Sequence, residues 1–183
     1  MKKIGFYGGT FDPFHLGHLC LCYTALESCC VDSVLVVPNF QSPLKAPPAA
    51  SFSHRLAMCQ QACGAYRELH VLSIENSFPS YTIDTLTKLK GSYPKDQLIL
   101  LIGADQMQDF HRWKEPARLQ AEFSPVAFLR SGVEPLKGLS YQPMLQLEIS
   151  STQVRERLKN QLPVDHLLPA KVIDYIRAHH LYF

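Results

Sequence analysis

Hydrophobic positions along the chain fall into two kinds of run. Short β-rich apolar clusters at residues 3–7, 33–37, 69–74, 98–102, 125–129 and 145–148 predict strands. Between them the apolar residues recur at helical spacing. Leu19, Cys22, Tyr23 and Leu26 follow i, i+3, i+4, i+7 and predict one amphipathic helix. Residues 53–65 predict a second, with Ser53 as N-cap and Leu56, Cys59, Gln60 and Cys63 along one side. Residues 81–90 predict a third, with Thr82 as its candidate cap. Strands alternating with helices favour an α/β architecture, a parallel sheet flanked by helices.

The pattern changes after Glu148, where stretches 151–159 and 169–178 read as helices with no strand between them. Pro169 suits a first helical turn. Residues 150–183 are therefore read as a helical cap packed on the sheet, and residues 1–183 as one domain. So short a segment would be marginal as an independent unit.

A chain of 183 residues, 46% hydrophobic and 19% charged, is long enough to bury its own core. The 18 Lys and Arg against 16 Asp and Glu leave a net charge of +2. That balance argues against a generic nucleic-acid or anionic-membrane binder. No run of apolar residues is long enough to span a bilayer, and the start Met1-Lys2-Lys3-Ile4-Gly5 carries no signal-peptide pattern, so the expected compartment is the cytoplasm. Cys20, Cys22, Cys29, Cys30, Cys59 and Cys63 lack zinc-type spacing and are expected to be free, partly buried thiols, with no metal bound by the protein itself.

The run from Gly8 to His18 is the most informative in the chain. A strand ends in Gly8-Gly9, where a missing Cβ admits close approach of backbone to a ligand, and Thr10 adds a hydroxyl. The loop feeds a helix whose first turn exposes unpaired N–H groups, which attract phosphate. His15 and His18 stand on one side of that turn, with Gly17 clearing space between them. Two such imidazoles admit three readings: zinc ligands, a general base, or donors to phosphate oxygens.

At these residues the chain resembles the nucleotidyltransferase superfamily marked by an H-x-G-H turn, here His15-Leu16-Gly17-His18 extended by Gly8-Gly9-Thr10-Phe11-Asp12-Pro13. Ile149-Ser150-Ser151-Thr152-Gln153-Val154-Arg155 resembles the I-S-S-T-x-I/V-R segment of its adenylyltransferases. The physics of this block stands by itself: Ser150 or Ser151 caps a helix, and hydroxyls, free N–H groups and the Arg155 guanidinium converge on one anion site. Three further blocks resemble bacterial nicotinate-nucleotide adenylyltransferases. They are Ser80-Tyr81-Thr82-Ile83-Asp84-Thr85-Leu86, then Gly103-Ala104-Asp105 with Phe110 and Trp113 downstream, then Leu167-Leu168-Pro169 through Leu181-Tyr182.

The resemblance implies a Rossmann-like, doubly wound parallel sheet with a small C-terminal helical cap. It implies that Gly8, Gly9, Thr10, His15, His18, Ser151, Thr152 and Arg155 hold ATP phosphates, and that Gly103 and Asp105 face the adenosine. Thr82 and Trp113 would hold the nicotinate end, with Lys45 offsetting charge on the acceptor side. The implied reaction transfers AMP from ATP to nicotinate mononucleotide, with His18 and then His15 as the catalytic groups and Mg²⁺ bridging triphosphate oxygens. The chain departs from the family in Ser42-Pro43-Leu44-Lys45, which replaces P-P-H-K/R, and in Asn76-Ser77-Phe78-Pro79, which lacks the usual base before S-Y-T. Both changes fall on the acceptor side. Phosphopantetheine adenylyltransferase, a non-catalytic nucleotide sensor and a tRNA-binding relative of class I synthetases are the alternatives; homo-oligomerisation stays open.

Overall fold

Strand and helix alternate from the first residues onward. The order is β1 (Lys3–Gly9), α1 (Leu16–Glu27), β2 (Ser33–Pro38), α2 (Phe52–Cys63), β3 (Leu69–Val71), α3 (Thr82–Ser92) and β4 (Gln97–Gly103). It continues with α4 (Ala104–Met107), a 3-10 turn (Phe110–Arg112), α5 (Pro116–Phe123), β5 (Val126–Leu129), β6 (Ser140–Pro143), α6 (Ser151–Lys159) and α7 (Ala170–Ala178). The computed structural model describes residues 1–28, 31–75, 81–129, 139–145 and 147–183. Cys29, Cys30, the 76–80 segment with Ser80, and Gln146 lie outside the described residues.

Among the described residues the strands form a six-stranded parallel sheet in the order β3-β2-β1-β4-β5-β6. That is the Rossmann order, whose direction of winding reverses between β1 and β4. Alternation along each strand feeds two cores. Val34, Val36, Ile99 and Leu101 pack under α1, α2, α6 and α7, while Leu35, Val37, Leu98, Leu100 and Ile102 pack under α3 and α5. Both sheet faces are thus covered, as a parallel sheet requires. The C-terminal helices join the first core through Val154, Leu158, Val172, Ile173 and Ile176. Each such buried side chain contributes roughly 1.5–3 kcal/mol, which pins this region to the sheet. Cys22, Cys59 and Cys63 lie in the same core, where burial raises their thiols, Cys63 to about 12. No helix among the described residues is long and apolar enough to cross a membrane.

Several boundaries differ from the sequence pattern. The last strand is Ser140–Pro143, not 145–148. This edge strand is mostly exposed and pairs only through its backbone with β5, so it carries no apolar signature. The apolar residues after it, Met144, Leu147 and Ile149, turn instead toward a cleft at the sheet's carboxyl edge. Ser51, not Ser53, caps α2, accepting the His54 N–H at 3.4 Å. The cap of α3 is Tyr81, with Thr82 already inside the helix. Helix α5, opened by Pro116, had no counterpart in the periodicity, being only two turns long.

Candidate active site

Two clefts open at the carboxyl ends of the strands, on either side of the β1–β4 switch point. The first, about 540 Å³, is lined by Gly8, Gly9, Thr10, Lys45, Thr82 and Trp113, together with Asn39, Glu75, Tyr81 and Lys114. The second, about 480 Å³, is lined by Gly9, Thr10, His15, His18, Lys45 and Gly103, together with Ser151, Thr152 and Arg155. Gly9, Thr10, Lys45 and Gln106 border both, so the two clefts meet over the end of β1. Every predicted site residue falls in one cleft or the other except Asp105, whose side chain lies outside the described residues.

The turn after β1 is shaped by what its glycines leave out. A Cβ on Gly9 would stand 2.7 Å from the Phe11 ring, and one on Gly17 would stand 3.1 Å from the His15 ring. Gly17 therefore makes room for His15, which is buried and stacks on His18 with ring centroids 3.6 Å apart. Phe11 and Phe14 close around the His18 ring at 5.0 and 5.1 Å. The backbone N–H of His15, at the N-cap of α1, donates to Nδ1 of His18 at 3.1 Å. An Nδ1 that accepts is unprotonated, so the neutral ring carries its proton on Nε2 and offers it as a donor. Burial, then His15, then Lys45 hold the His18 pKa well below the usual histidine value. His18 is thus a neutral donor near pH 7, which suits the third of the three readings of the histidine pair.

This has a consequence for stability. Between the lowered folded pKa of His18 and the ordinary value of about 6.5, the unfolded chain binds more protons than the folded one. The stability owed to a neutral His18 is complete above about pH 6.5 and is lost as the pH falls toward the folded value, by at most about 1.4 kcal/mol per pH unit. Urea unfolding of wild type and His18→Ala at pH 8 and pH 5 should show the gap between them narrowing in acid. A gap that widens in acid would mean that the folded ring is charged.

Helix α6 delivers the second set of groups. Ser150 is its cap, accepting the Gln153 N–H at 3.1 Å, while the Ser151 hydroxyl donates to the Pro13 carbonyl at 3.0 Å. Arg155 reaches back along the same turn, donating from Nη1 to the Asp12 carbonyl at 2.7 Å and from Nη2 to the Thr152 hydroxyl at 3.3 Å. The helix N-terminus is thereby clamped against the β1 turn, and its free N–H groups share a cleft with His15 and His18.

On the other side Trp113 packs against Phe110 with ring centroids 5.4 Å apart, leaving part of its surface open. Lys114 donates to both Asp84 oxygens at 2.9 Å and lies 4.9 Å over the Tyr81 ring. Glu75 accepts the Thr85 hydroxyl.

Gln106 and Arg55, which hold the site together, escaped the sequence reading, and Asp12 stood in the 8–13 block with no role assigned to it. Gln106 bridges the switch point, donating to the Gly8 carbonyl at 3.2 Å and accepting the Gly103 N–H at 3.3 Å. Asp12 is buried and accepts the N–H groups of Ala49 and Ala50 at 2.7 and 3.1 Å. Arg55, only 1% exposed, donates to the carbonyls of Thr10, Asn39, Phe40 and Ala50. An arginine one helical turn from Met58 and Cys59, on the buried side of α2, was the available signal.

Comparison with known proteins agrees with this geometry. The cytidylyltransferase-like family model matches residues 6–157. The nicotinate-nucleotide adenylyltransferase of Bacillus subtilis is 37% identical over 187 residues, covering 100% of this chain and 99% of its own. A probable nicotinate-nucleotide adenylyltransferase of Thermus thermophilus is 38% identical over 185 residues, covering 98% and 99%. The Plasmodium falciparum nicotinic acid mononucleotide adenylyltransferase, solved in complex with NaAD, superimposes with a TM-score of 0.84 at 22% identity, covering 100% of this chain and 98% of that one, and so shares the fold. The same enzyme has also been solved complexed with APC. The chain belongs to the nicotinate-nucleotide adenylyltransferases, within the cytidylyltransferase-like family.

Proposed function

We propose that residues 1–183 act as one unit that transfers AMP from ATP to the 5′-phosphate of nicotinate mononucleotide, releasing pyrophosphate. The observation that carries this reading is the meeting of two clefts at Gly9, Thr10, Lys45 and Gln106. A transferase with two phosphorylated substrates needs two pockets that share one wall, with the donors for the transferred group at the seam. ATP occupies the cleft of His15, His18 and Arg155, with its adenosine toward Gly103 and Asp105. The acceptor occupies the cleft of Thr82 and Trp113.

The acceptor phosphate loses its second proton with a pKa of about 6, so near neutral pH it is already nucleophilic. It attacks the α-phosphorus, a P–O bond forms, and the bond to the departing pyrophosphate breaks. No side chain need remove a proton. The barrier lies in bringing two anions together, and donors placed for the transition state lower it. The Nε2–H of His18 binds the α-phosphate as its charge grows, with His15 beside it, and Lys45 at the seam and Arg155 offset the remaining charge.

Mg²⁺ supplies further charge neutralisation when it accompanies ATP. Among the described residues the buried carboxylate lining this cleft, Asp12, already accepts from Ala49, Ala50 and Tyr182. An ion arriving with ATP would be held through the nucleotide that His15, His18, Ser151, Thr152 and Arg155 bind.

Pyrophosphate release with ATP plus nicotinate mononucleotide, its amide, or phosphopantetheine tests the assignment. The acid should be preferred, and a tenfold preference for either of the others would overturn the reading. Within the acceptor cleft, Trp113→Ala should raise the acceptor KM by roughly 3- to 30-fold through loss of stacking on a flat cationic ring, with the ATP KM nearly unchanged. An equal loss for both substrates would make Trp113 a packing residue.

A further inference from the structure

We propose that Tyr182, in the C-terminal tail, is a positioning residue for the triphosphate cleft, acting through the carboxylate of Asp12. The inference rests on the placement of ATP in the cleft of His18 and Arg155.

The Tyr182 hydroxyl donates to Oδ1 of Asp12 at 2.7 Å, the same oxygen that accepts the Ala50 N–H at 3.1 Å. The other oxygen accepts the Ala49 N–H at 2.7 Å and faces Nη1 of Arg155 at 3.8 Å. One buried carboxylate therefore receives the tail, the loop that follows Lys45, and the guanidinium of α6. Tyr182 holds Oδ1 while Arg155 faces Oδ2 and is itself bonded to the Asp12 backbone carbonyl, so the hydroxyl helps to fix the rotation of the carboxylate and with it the distance from Oδ2 to Nη1. While the hydroxyl is bonded, the Asp12–Arg155 pair stays long, and Arg155 keeps capacity for an anion in the cleft. Without the hydroxyl only the Ala49 and Ala50 N–H groups hold the carboxylate, and it can rotate closer to Arg155 and draw it from that anion.

A sharp backbone turn brings the tail to Asp12. His180 and Tyr182 are held at φ 49° and 68°, left-handed backbone that side-chain-bearing residues adopt only when the surroundings compel it. The Leu181 N–H closes α7 onto the Ile176 carbonyl at 3.1 Å, which turns the tail back toward the β1 turn. A phenylalanine would fill the same space. Only a hydroxyl reaches the carboxylate, which is what a positioning role requires and a packing role does not.

The test is Tyr182→Phe, with initial rates of pyrophosphate release measured as ATP and nicotinate mononucleotide are varied in turn. The ATP KM should rise about 3- to 10-fold, with the acceptor KM within about twofold and unfolding still cooperative. In an Asp12→Asn background the same substitution should have little further effect, since the relay runs through that carboxylate. Phe183→Ala, at the exposed last residue, should leave both KM values unchanged. Unchanged kinetics in Tyr182→Phe, an equal rise for both substrates, or the same rise in Phe183→Ala would overturn the proposal. Arg155→Ala separates the two layers. If it weakens ATP while Tyr182→Phe does not, the relay alone is wrong. If it leaves ATP untouched, the placement of ATP is wrong and the relay falls with it.

Discussion

Replacing His18 with alanine is expected to slow adenylyl transfer by about 30- to 1000-fold, the equivalent of about 2–4 kcal/mol for one preorganised donor. The loss should appear in kcat with little change in either KM, because the Nε2–H meets its full charge only as the α-phosphate passes through the transition state. The ring is held for that task from three sides: the His15 N–H on Nδ1, the stacked His15 ring, and the aromatic walls of Phe11 and Phe14. His18→Gln, whose amide extends to about the reach of Nε2, should recover part of the rate. Activity of His18→Ala within threefold of wild type, in a folded protein, would remove His18 from the chemistry. So would a loss confined to the ATP KM, which would make it a ground-state contact.

The tautomer behind that prediction was not legible in the sequence. Spacing placed both histidines on one side of the turn, and the structure does stack them. Whether they act as bases, ligands or donors depends on where the proton sits. That is decided by one backbone N–H whose direction follows from the cap geometry of α1. The roles of Ser150 and Ser151 were left open for the same reason. Either could cap the helix by sequence, and only the approach of the Pro13 carbonyl assigns the second hydroxyl elsewhere.

The sheet was more legible than its connections. Strands β1, β2 and β4 are buried on both faces, so their apolar runs stand out whatever surrounds them. Strand β6 is mostly exposed and is held to β5 by backbone pairing, which no side-chain pattern records. The same asymmetry governs the site. Groups that face the substrates carry a recognisable motif, while Gln106 and Arg55, which face other parts of the protein, act on backbone carbonyls that could belong to any sequence.

Arg55 accordingly carries the largest expected effect on stability. Its guanidinium is buried, and it donates to Ala50 at 3.2 Å and to Thr10, Asn39 and Phe40 at 2.7 Å each. Those carbonyls belong to the loops leaving β1 and β2, just past the end of their shared ladder, and to the entry of α2. Burial lowers the Arg55 pKa and the nearby Asp12 charge opposes that shift, so the cation persists and its cost is offset by charge-assisted bonds. Arg55→Met would fill much of the volume but remove the one side chain that donates to all four inward-facing carbonyls. A loss of about 3–5 kcal/mol is expected, or about 6–20 °C in Tm for a chain of this size. Arg55→Lys should recover less than half, since an ammonium has no planar fork to span three loops. The surviving enzyme should show higher KM values for both substrates, because Arg55 braces Thr10, in the wall the two clefts share, and Asn39, in the first cleft. That symmetry separates Arg55 from Tyr182, whose loss should fall on ATP alone. Destabilisation below 1 kcal/mol, read by urea unfolding, would mean that the loops hold their positions without the brace.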